Sequence, residues 1–485
     1  MELQFHKTEY PYLRTVLLQP QTQEQTLDIK LSEGMPDIGR VLFSWGQPVL
    51  RSMEWRSDGA QVTGGVMVWV LYQPEDGSST RVVEGWLPFQ MHWDFPGSQR
   101  DGLLLVQPWL RNVEARCVSS RKLMIRGDIA VQLQALQPDT LELFVPGDVP
   151  EYVELLRNTY PVQMLSEAGE KAFLIDEDLQ SPEDLEQVLY YTLHPMIHDH
   201  KVVADKVVFR GTAQMHLLYL SNDGKINTWD HEMPFSQFAE LDREYTQASV
   251  HVVPAVTSME LEKGDLSALR LKAGLTGQYT VSRYDEVEVV EDAYRPGVDI
   301  SLQSQMISLP ISCEITSQSV TAQLPVDGNI LDVGFLQGLP SVKHGDTAQV
   351  ELCGHFQVLY ADEEGALQGC VLRWEGEHTP QLKSGAHWML QMPMLPKISA
   401  NGVRVDLVLE GQSDHQEGKY LVSGLTIPED AVAKPHRPSL ILRRAGENSL
   451  WQIARECGST VDRICQINHL QEQPERDRML LIPVI

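Results

Sequence analysis

Apolar and polar residues alternate with period two along much of this chain. One run places Phe209, Gly211, Ala213, Met215, Leu217 and Tyr219 on a common face, and another does the same with Val350, Leu352, Gly354, Phe356, Val358 and Tyr360. Period two is the strand signature. An earlier run, GGVMVWVLY at 64–72, is apolar at nearly every position and predicts a strand covered on both sides. Each run ends in tyrosine with a glycine five positions on, and the intervening PEDG, SNDG and DEEG stretches carry turn residues. Each therefore predicts a β-hairpin. Gly64, Gly211 and Gly354 fall on one strand face, which suggests a close backbone approach or a bulge. Runs at Leu103–Val106, Lys122–Ile129 and Ala268–Gln278 predict further strands. One stretch has a different period: Asp184, Leu185, Val188 and Leu189 follow Ser181 at i, i+1, i+4 and i+5 spacing. That predicts a short helix, capped by Ser181 and ended before Pro195.

These elements recur. At an offset of 147 residues Asp37, Ile38, Val41, Leu42 and Pro48 fall on Asp184, Leu185, Val188, Leu189 and Pro195. Gly64, Tyr72 and Gly77 fall on Gly211, Tyr219 and Gly224, and Pro88-Phe89 meets Pro234-Phe235 after a slip of one. A third copy keeps Tyr360 and Gly365, with Trp374 as a counterpart of Trp86 and Trp229; its Pro-Phe pair is replaced by the stretch His378-Thr379-Pro380-Gln381. Repetition on this scale is the mark of a duplicated domain. The expected organisation is a repeat at 1–150, a second at 151–300, a divergent third at 301–426, a proline-rich linker at 427–438 and a small domain at 439–485. The expected fold is mostly β, with tandem antiparallel sandwich-like or barrel-like repeats.

The last segment follows other rules. Ser439–Leu442 predicts a strand, and Gly446-Glu447-Asn448 a turn. Ser449, with Gln452 three residues on, completes a capping box. Leu450, Ile453, Ala454 and Cys457 then make a helical apolar stripe ended by Gly458. Ser459-Thr460 starts a second helix carrying Val461, Ile464 and Cys465, and Met479–Ile482 closes as a strand before Pro483. The expected order is β-α-α-β.

Arg444-Ala445-Gly446-Glu447-Asn448-Ser449-Leu450-Trp451-Gln452-Ile453-Ala454, Asn468 and the closing Leu480-Leu481-Ile482-Pro483 together resemble the LysM family. That resemblance implies a shallow groove formed by Gly446, Glu447, Asn448, Ser449, Ile467, Asn468, His469 and Leu470, which in the family takes N-acetylglucosamine polymers such as peptidoglycan. Two positions depart from the family pattern: Glu447-Asn448 stand for its usual Asp-Thr, and Asp477 for its usual glycine. Upstream, the Pro-Asp-Ile-x-x-Val-Leu motif, the strands ending in Leu-Tyr, the Pro-Phe pairs and the run Val289–Gly297 resemble the SPOCS domain of clostridial spore proteins. Tandem SPOCS-like units followed by one LysM module imply a spore-morphogenesis protein of the mother-cell cytoplasm. Such a protein binds the coat morphogenetic ATPase at the forespore surface and helps to anchor the spore coat.

Composition narrows the remaining choices. A formal charge of −28 repels phosphate backbones, so nucleic acid is not an expected partner. No secretory signal and no transmembrane stretch is legible. The six cysteines are sparse, without a Cys-x-x-Cys, and are expected to be reduced and mostly buried. His194, His198 and His200 are dense, but Pro195 interrupts a helix here and His198 and His200 share one face only on a strand, so a polar strand face is expected rather than a metal site. No nucleophile elbow, zincin, phosphate-loop or dinucleotide motif appears. The expectation is therefore a binding protein with no catalytic residues, no cofactor and no metal.

Overall fold

The structure, a computed structural model, describes residues 2–95, 102–149, 152–265, 267–343, 349–379, 386–399, 401–428, 439–471 and 474–484. It is mostly strand, arranged in several small antiparallel sheets. The expected linker lies outside the described residues except for Ile427 and Pro428.

Six strands make the first unit: β1 (Glu2–Lys30), β2 (Ile38–Arg56), β3 (Gly59–Pro74), β4 (Arg81–Asp94), β5 (Leu103–Ser119) and β6 (Lys122–Pro146). They form two antiparallel arrays, β2-β3-β4 and β1-β6-β5, the second continued by the start of β1 into the sheet of the third unit to make seven strands. The second unit comprises β7 (Glu154–Gln180), β8 (Leu185–Val203), β9 (Lys206–Ser221), β10 (Ile226–Glu240), β11 (Ala248–Lys263) and β12 (Ala268–Tyr294). Its sheets, β8-β9-β10 and β7-β12-β11, follow the same scheme. The third contains β13 (Ser301–Leu324), β14 (Asn329–Gln337), β15 (Ser341–Lys343), β16 (Gln349–Ala361), β17 (Leu367–His378), β18 (His387–Gln391), β19 (Lys397–Ser399) and β20 (Gly402–Thr426). Here β14 and β15 together flank β16 on one side, and β18 and β19 together flank β20.

Each predicted hairpin is present, between β3 and β4, β9 and β10, and β16 and β17. Gly77, Gly224 and Gly365 close them at φ of 72°, 81° and 81°, a region that favours glycine. The strand glycines are fixed by space instead. A methyl on Gly211 would lie 1.9 Å from the Met196 carbonyl oxygen and 2.6 Å from the Phe235 ring; one on Gly64 would lie 2.4 Å from the Val49 oxygen and 2.5 Å from Phe89. The conserved spacing of glycine and Pro-Phe between the two copies thus has one cause: the phenylalanine lies over the glycine across the hairpin.

Two sequence expectations are corrected. The stretch after Ser181 is not a helix but the start of β8. Its pairing with β9 shifts register at Leu185/Gln187, Val188/Tyr190 and Ile197/Asp199, and β2 shifts at Ile38/Arg40, Val41/Phe43 and Leu50/Ser52. Each bulge adds a residue, so buried positions leave period two and imitate a helical stripe. Ser181 caps nothing helical: its hydroxyl donates to the Glu183 carbonyl and its backbone N–H to Ser267 O at 2.9 Å. Nor is Trp374 the counterpart of Trp86 and Trp229. It sits opposite Gly354, the place that Phe89 and Phe235 hold opposite Gly64 and Gly211, so it replaces the phenylalanine. The thiols also differ from expectation: of the described free cysteines, Cys457 is buried, Cys117 is exposed and Cys353, Cys370 and Cys465 are intermediate.

The cores explain how the units meet. β3 is covered on both faces because Trp69 and Leu71 join the core of the second unit, while Val66, Val68 and Val70 fill their own. The far halves of the long strands pack together: Leu141 and Leu143, Val162 and Met164, Val287 and Val289, Leu309 and Leu421 form one cluster drawn from all three units. Past them come β21 (Leu440–Arg444), helices α1 (Leu450–Cys457) and α2 (Val461–Asn468), and β22 (Met479–Pro483).

Candidate partner-binding site

The terminal segment builds its own core from Ala445, Leu450, Ile453, Ala454, Cys457, Ile464, Leu480 and Ile482. Gly446 turns the chain at φ 65°. Ser449 Oγ accepts from Gln452 N at 3.2 Å, and Ser449 N donates to Gln452 Oε1 at 3.0 Å, the reciprocal box that satisfies two free helix-end donors. Gly458 ends α1 in the left-handed region, Thr460 Oγ1 caps α2, and His469 ends it at φ 52°.

The two segments singled out in the sequence lean on one turn. Gly446 N donates to Arg476 O at 2.9 Å and Glu447 pairs with Arg476 at 2.9 Å. On the other side Arg478 Nη2 donates to Asn468 O at 2.9 Å. Glu447, Ser449, Ile467 and His469 are exposed; Gly446, Asn448, Asn468 and Leu470 are half-buried. The side chain of Asn468 is committed within the fold. Its Nδ2 donates to Ile464 O at 2.8 Å and Leu481 O at 2.6 Å, and its Oδ1 accepts from Leu481 N at 2.8 Å. Asn468 therefore splices α2 to β22. The side chains this surface offers are Ile467, His469 and the ion-paired Glu447, with Ser449 engaged in its cap. Arg476 and Arg478, also exposed, flank Asp477, the position at which the sequence departs from the family pattern. A second apolar surface, Leu440, Leu442, Met479 and Leu481, lies exposed on the outer face of the two-stranded sheet. Both strands are apolar at successive positions in the sequence, so which face is open was not legible there.

A different kind of site lies where the three units meet. Tyr190 donates to Asp332 Oδ2 at 2.8 Å, and His216 Nε2 lies 3.0 Å from Asp332 Oδ1 and its Nδ1 2.5 Å from Asp230 Oδ1. Asp332 is 3% exposed. Burial works against a charged His216, but the Asp332 and Asp230 carboxylates outweigh it and raise its pKa to about 10. Burial likewise opposes a charged Asp332, yet His216 and the Tyr190 hydroxyl hold it below the usual carboxylate value. Burial, followed by the Asp332 charge, pushes the Tyr190 hydroxyl well up. Trp45 stacks on Tyr190 at 4.1 Å and 13°. Amides complete the seam: Gln278 grips the Val106 backbone through bonds of 2.7 and 2.6 Å, Gln357 Nε2 donates to Ser44 O at 3.2 Å, and Gln47 Oε1 accepts from Leu193 N at 3.0 Å. This arrangement joins the units. The histidines read as a polar strand face divide between two environments. His194 is half-buried against the Met392 carbonyl, and burial depresses its pKa, whereas exposed His198 lies 2.7 Å from Thr212 Oγ1. Among the described residues no group of three His, Cys, Asp or Glu is arranged to hold a metal ion, and no helix is long and apolar enough to cross a membrane.

The family described as SipL, SPOCS domain, matches residues 184–263, which run from the start of β8 to the end of β11. This points to a sporulation-related protein. No curated protein and no solved structure matches the chain.

Proposed function

We propose that the chain is a non-enzymatic scaffold of spore envelope assembly. In this reading three SPOCS-type repeats, at 1–150, 151–300 and 301–426, form a frame that carries a LysM-type domain, 439–485. That domain binds a protein at the forespore surface, the coat morphogenetic ATPase, on the mother-cell side. The single observation that carries the reading is the SPOCS match over residues 184–263. The β-α-α-β order of the tail supports a LysM-type module, and its exposed Ile467 and His469 supply a contact surface.

Affinity capture with the tagged full chain from sporulating cells tests it. A forespore-surface ATPase should be enriched, and an Ile467→Asp variant should lose it. Sedimentation with purified peptidoglycan is the second arm. Cosedimentation without capture of a coat protein would replace the scaffold with a wall binder.

A further inference from the structure

The tail is not merely appended to the strands before it. Its first helix rests on the end of β12. Trp451 Nε1 donates to Asp292 Oδ2 at 2.8 Å, and Arg455 Nη1 donates to the same oxygen at 2.7 Å. Asp292 Oδ1 accepts from Ala293 N at 2.9 Å, so both carboxylate oxygens are engaged. Two residues on, Tyr294 meets the Trp451 ring edge-to-face at 4.7 Å and donates to Ser459 O at 2.8 Å. Tyr294 is 4% exposed and belongs to the core of the tail, not to that of its own unit. Trp451 and Arg455 are one helical turn apart, the spacing that puts two side chains on one face.

The three units provide an internal control. Each long closing strand reaches a proline, Pro146, Pro296 or Pro428. Three positions before it stand Leu143, Ala293 and Leu425, at 1%, 0% and 1% exposure. Four positions before it stand Glu142, Asp292 and Gly424; two before it, Phe144, Tyr294 and Thr426. Glu142 is engaged with Lys7 at 2.5 Å, Phe144 has no hydroxyl to donate, and Gly424 has no carboxylate. The acceptor–aromatic pair that fits Trp451 and Arg455 stands in the second unit alone.

We infer that Asp292 and Tyr294 form a docking site whose occupant is α1 of the same chain, recognised by its Trp-x-x-x-Arg face. The contact mounts the tail on the second unit and fixes which faces it presents: Trp451 is turned onto the end of β12 with Arg455 at the rim of the contact, while Ile467, His469 and the outer sheet face remain open. Glu154 and Asp462 face each other across the contact; burial and then the Asp462 charge raise the Glu154 carboxyl.

The test uses the full chain. The indole N–H resonance of Trp451, identified by its loss in Trp451→Phe, should exchange slowly with solvent. In Asp292→Ala its exchange should accelerate about tenfold or more, since two charge-assisted bonds are lost, and the radius of gyration from X-ray scattering should rise. Arg455→Ala, altered on the solvent side and removing one of the two bonds, should shift both readouts in the same direction by a smaller amount, and serves should Asp292→Ala fail to fold. Asp292→Arg combined with Arg455→Asp should restore the compact radius. Unchanged exchange and radius in both single variants would overturn the proposal. So would protection that fades on dilution, because the contact would then be made between two copies.

Discussion

The seam between the second and third units and the seat of the tail are both polar contacts on the same frame, yet they are built to opposite standards. In the seam a carboxylate at 3% exposure is surrounded by a tyrosine hydroxyl and an imidazole, with aromatic stacking above. At the seat one carboxylate at 21% exposure holds an arginine at 52%. A buried charge that loses its partner has no water to replace it, whereas a half-exposed one does. The contrast teaches that the units are joined as one body and the tail is held on it by a contact of intermediate strength. Polar residues serve both purposes, and burial decides which.

The largest effect is expected from Asp332→Ala. It leaves the His216 imidazolium with Asp230 alone and the Tyr190 phenol without its acceptor, a change worth about 3–5 kcal/mol, to be read as a fall in the urea midpoint of the frame. A fall no greater than that of Asp292→Ala would erase the contrast. The same pair gives a pH signature. The pKa of His216 is raised to about 10 in the folded state, above its unfolded value of 6.5. Its contribution is therefore complete below about pH 6.5 and is lost as pH rises through about 10. Asp332 is depressed, so its contribution is present above its unfolded value of 3.8 and lost as pH falls through its lower folded value. Stability measured from pH 7 to 10.5 should decline in the parent chain. In a His216→Gln variant it should decline less.

Leu450→Ala comes next. It removes a side chain at 8% exposure from the tail core and should cost about 2–5 kcal/mol. That is comparable to what so small a core supplies. Hydrogen exchange should show the tail opening while the strands of the three units keep their protection. Loss of protection in β12 beyond Tyr294 would mean that the tail supports the frame rather than the reverse.

How far these differences could be read in advance depends on the range of the interaction. The hairpins, their turn glycines and the capping box at Ser449 are local, and alternation and spacing revealed them. The start of β8 was misread because paired bulges break period two, and a bulge shows only once its partner strand is known. Even so, the bulges at Ile38, Val41 and Leu50 recur 147 residues later, the offset found in the sequence repeat. The seam was invisible: Tyr190 and His216 are separated from Asp332 by 142 and 116 residues, and no motif links them. The Val289–Gly297 run was noticed as a family mark, but its role in seating the tail depends on contacts 159 and 163 residues away.

The smallest stability effects carry the most information about binding, because they separate the surface of the tail from its interior. Asn468→Ala removes two hydrogen bonds that hold α2 to β22 and a third within α2, and should destabilise the tail by about 1–3 kcal/mol. Any loss of partner capture in that variant would therefore be ambiguous. Ile467→Ser alters a neighbouring side chain at 41% exposure and should change stability by no more than about 0.5 kcal/mol. Thermal unfolding of the two variants, run beside affinity capture, distinguishes the cases. Capture lost in Ile467→Ser with an unchanged melt assigns binding to the surface around α2 and the Arg476–Arg478 turn. Capture retained there, but lost with an equally silent change at Leu442 (62% exposed), moves the contact to the outer sheet face.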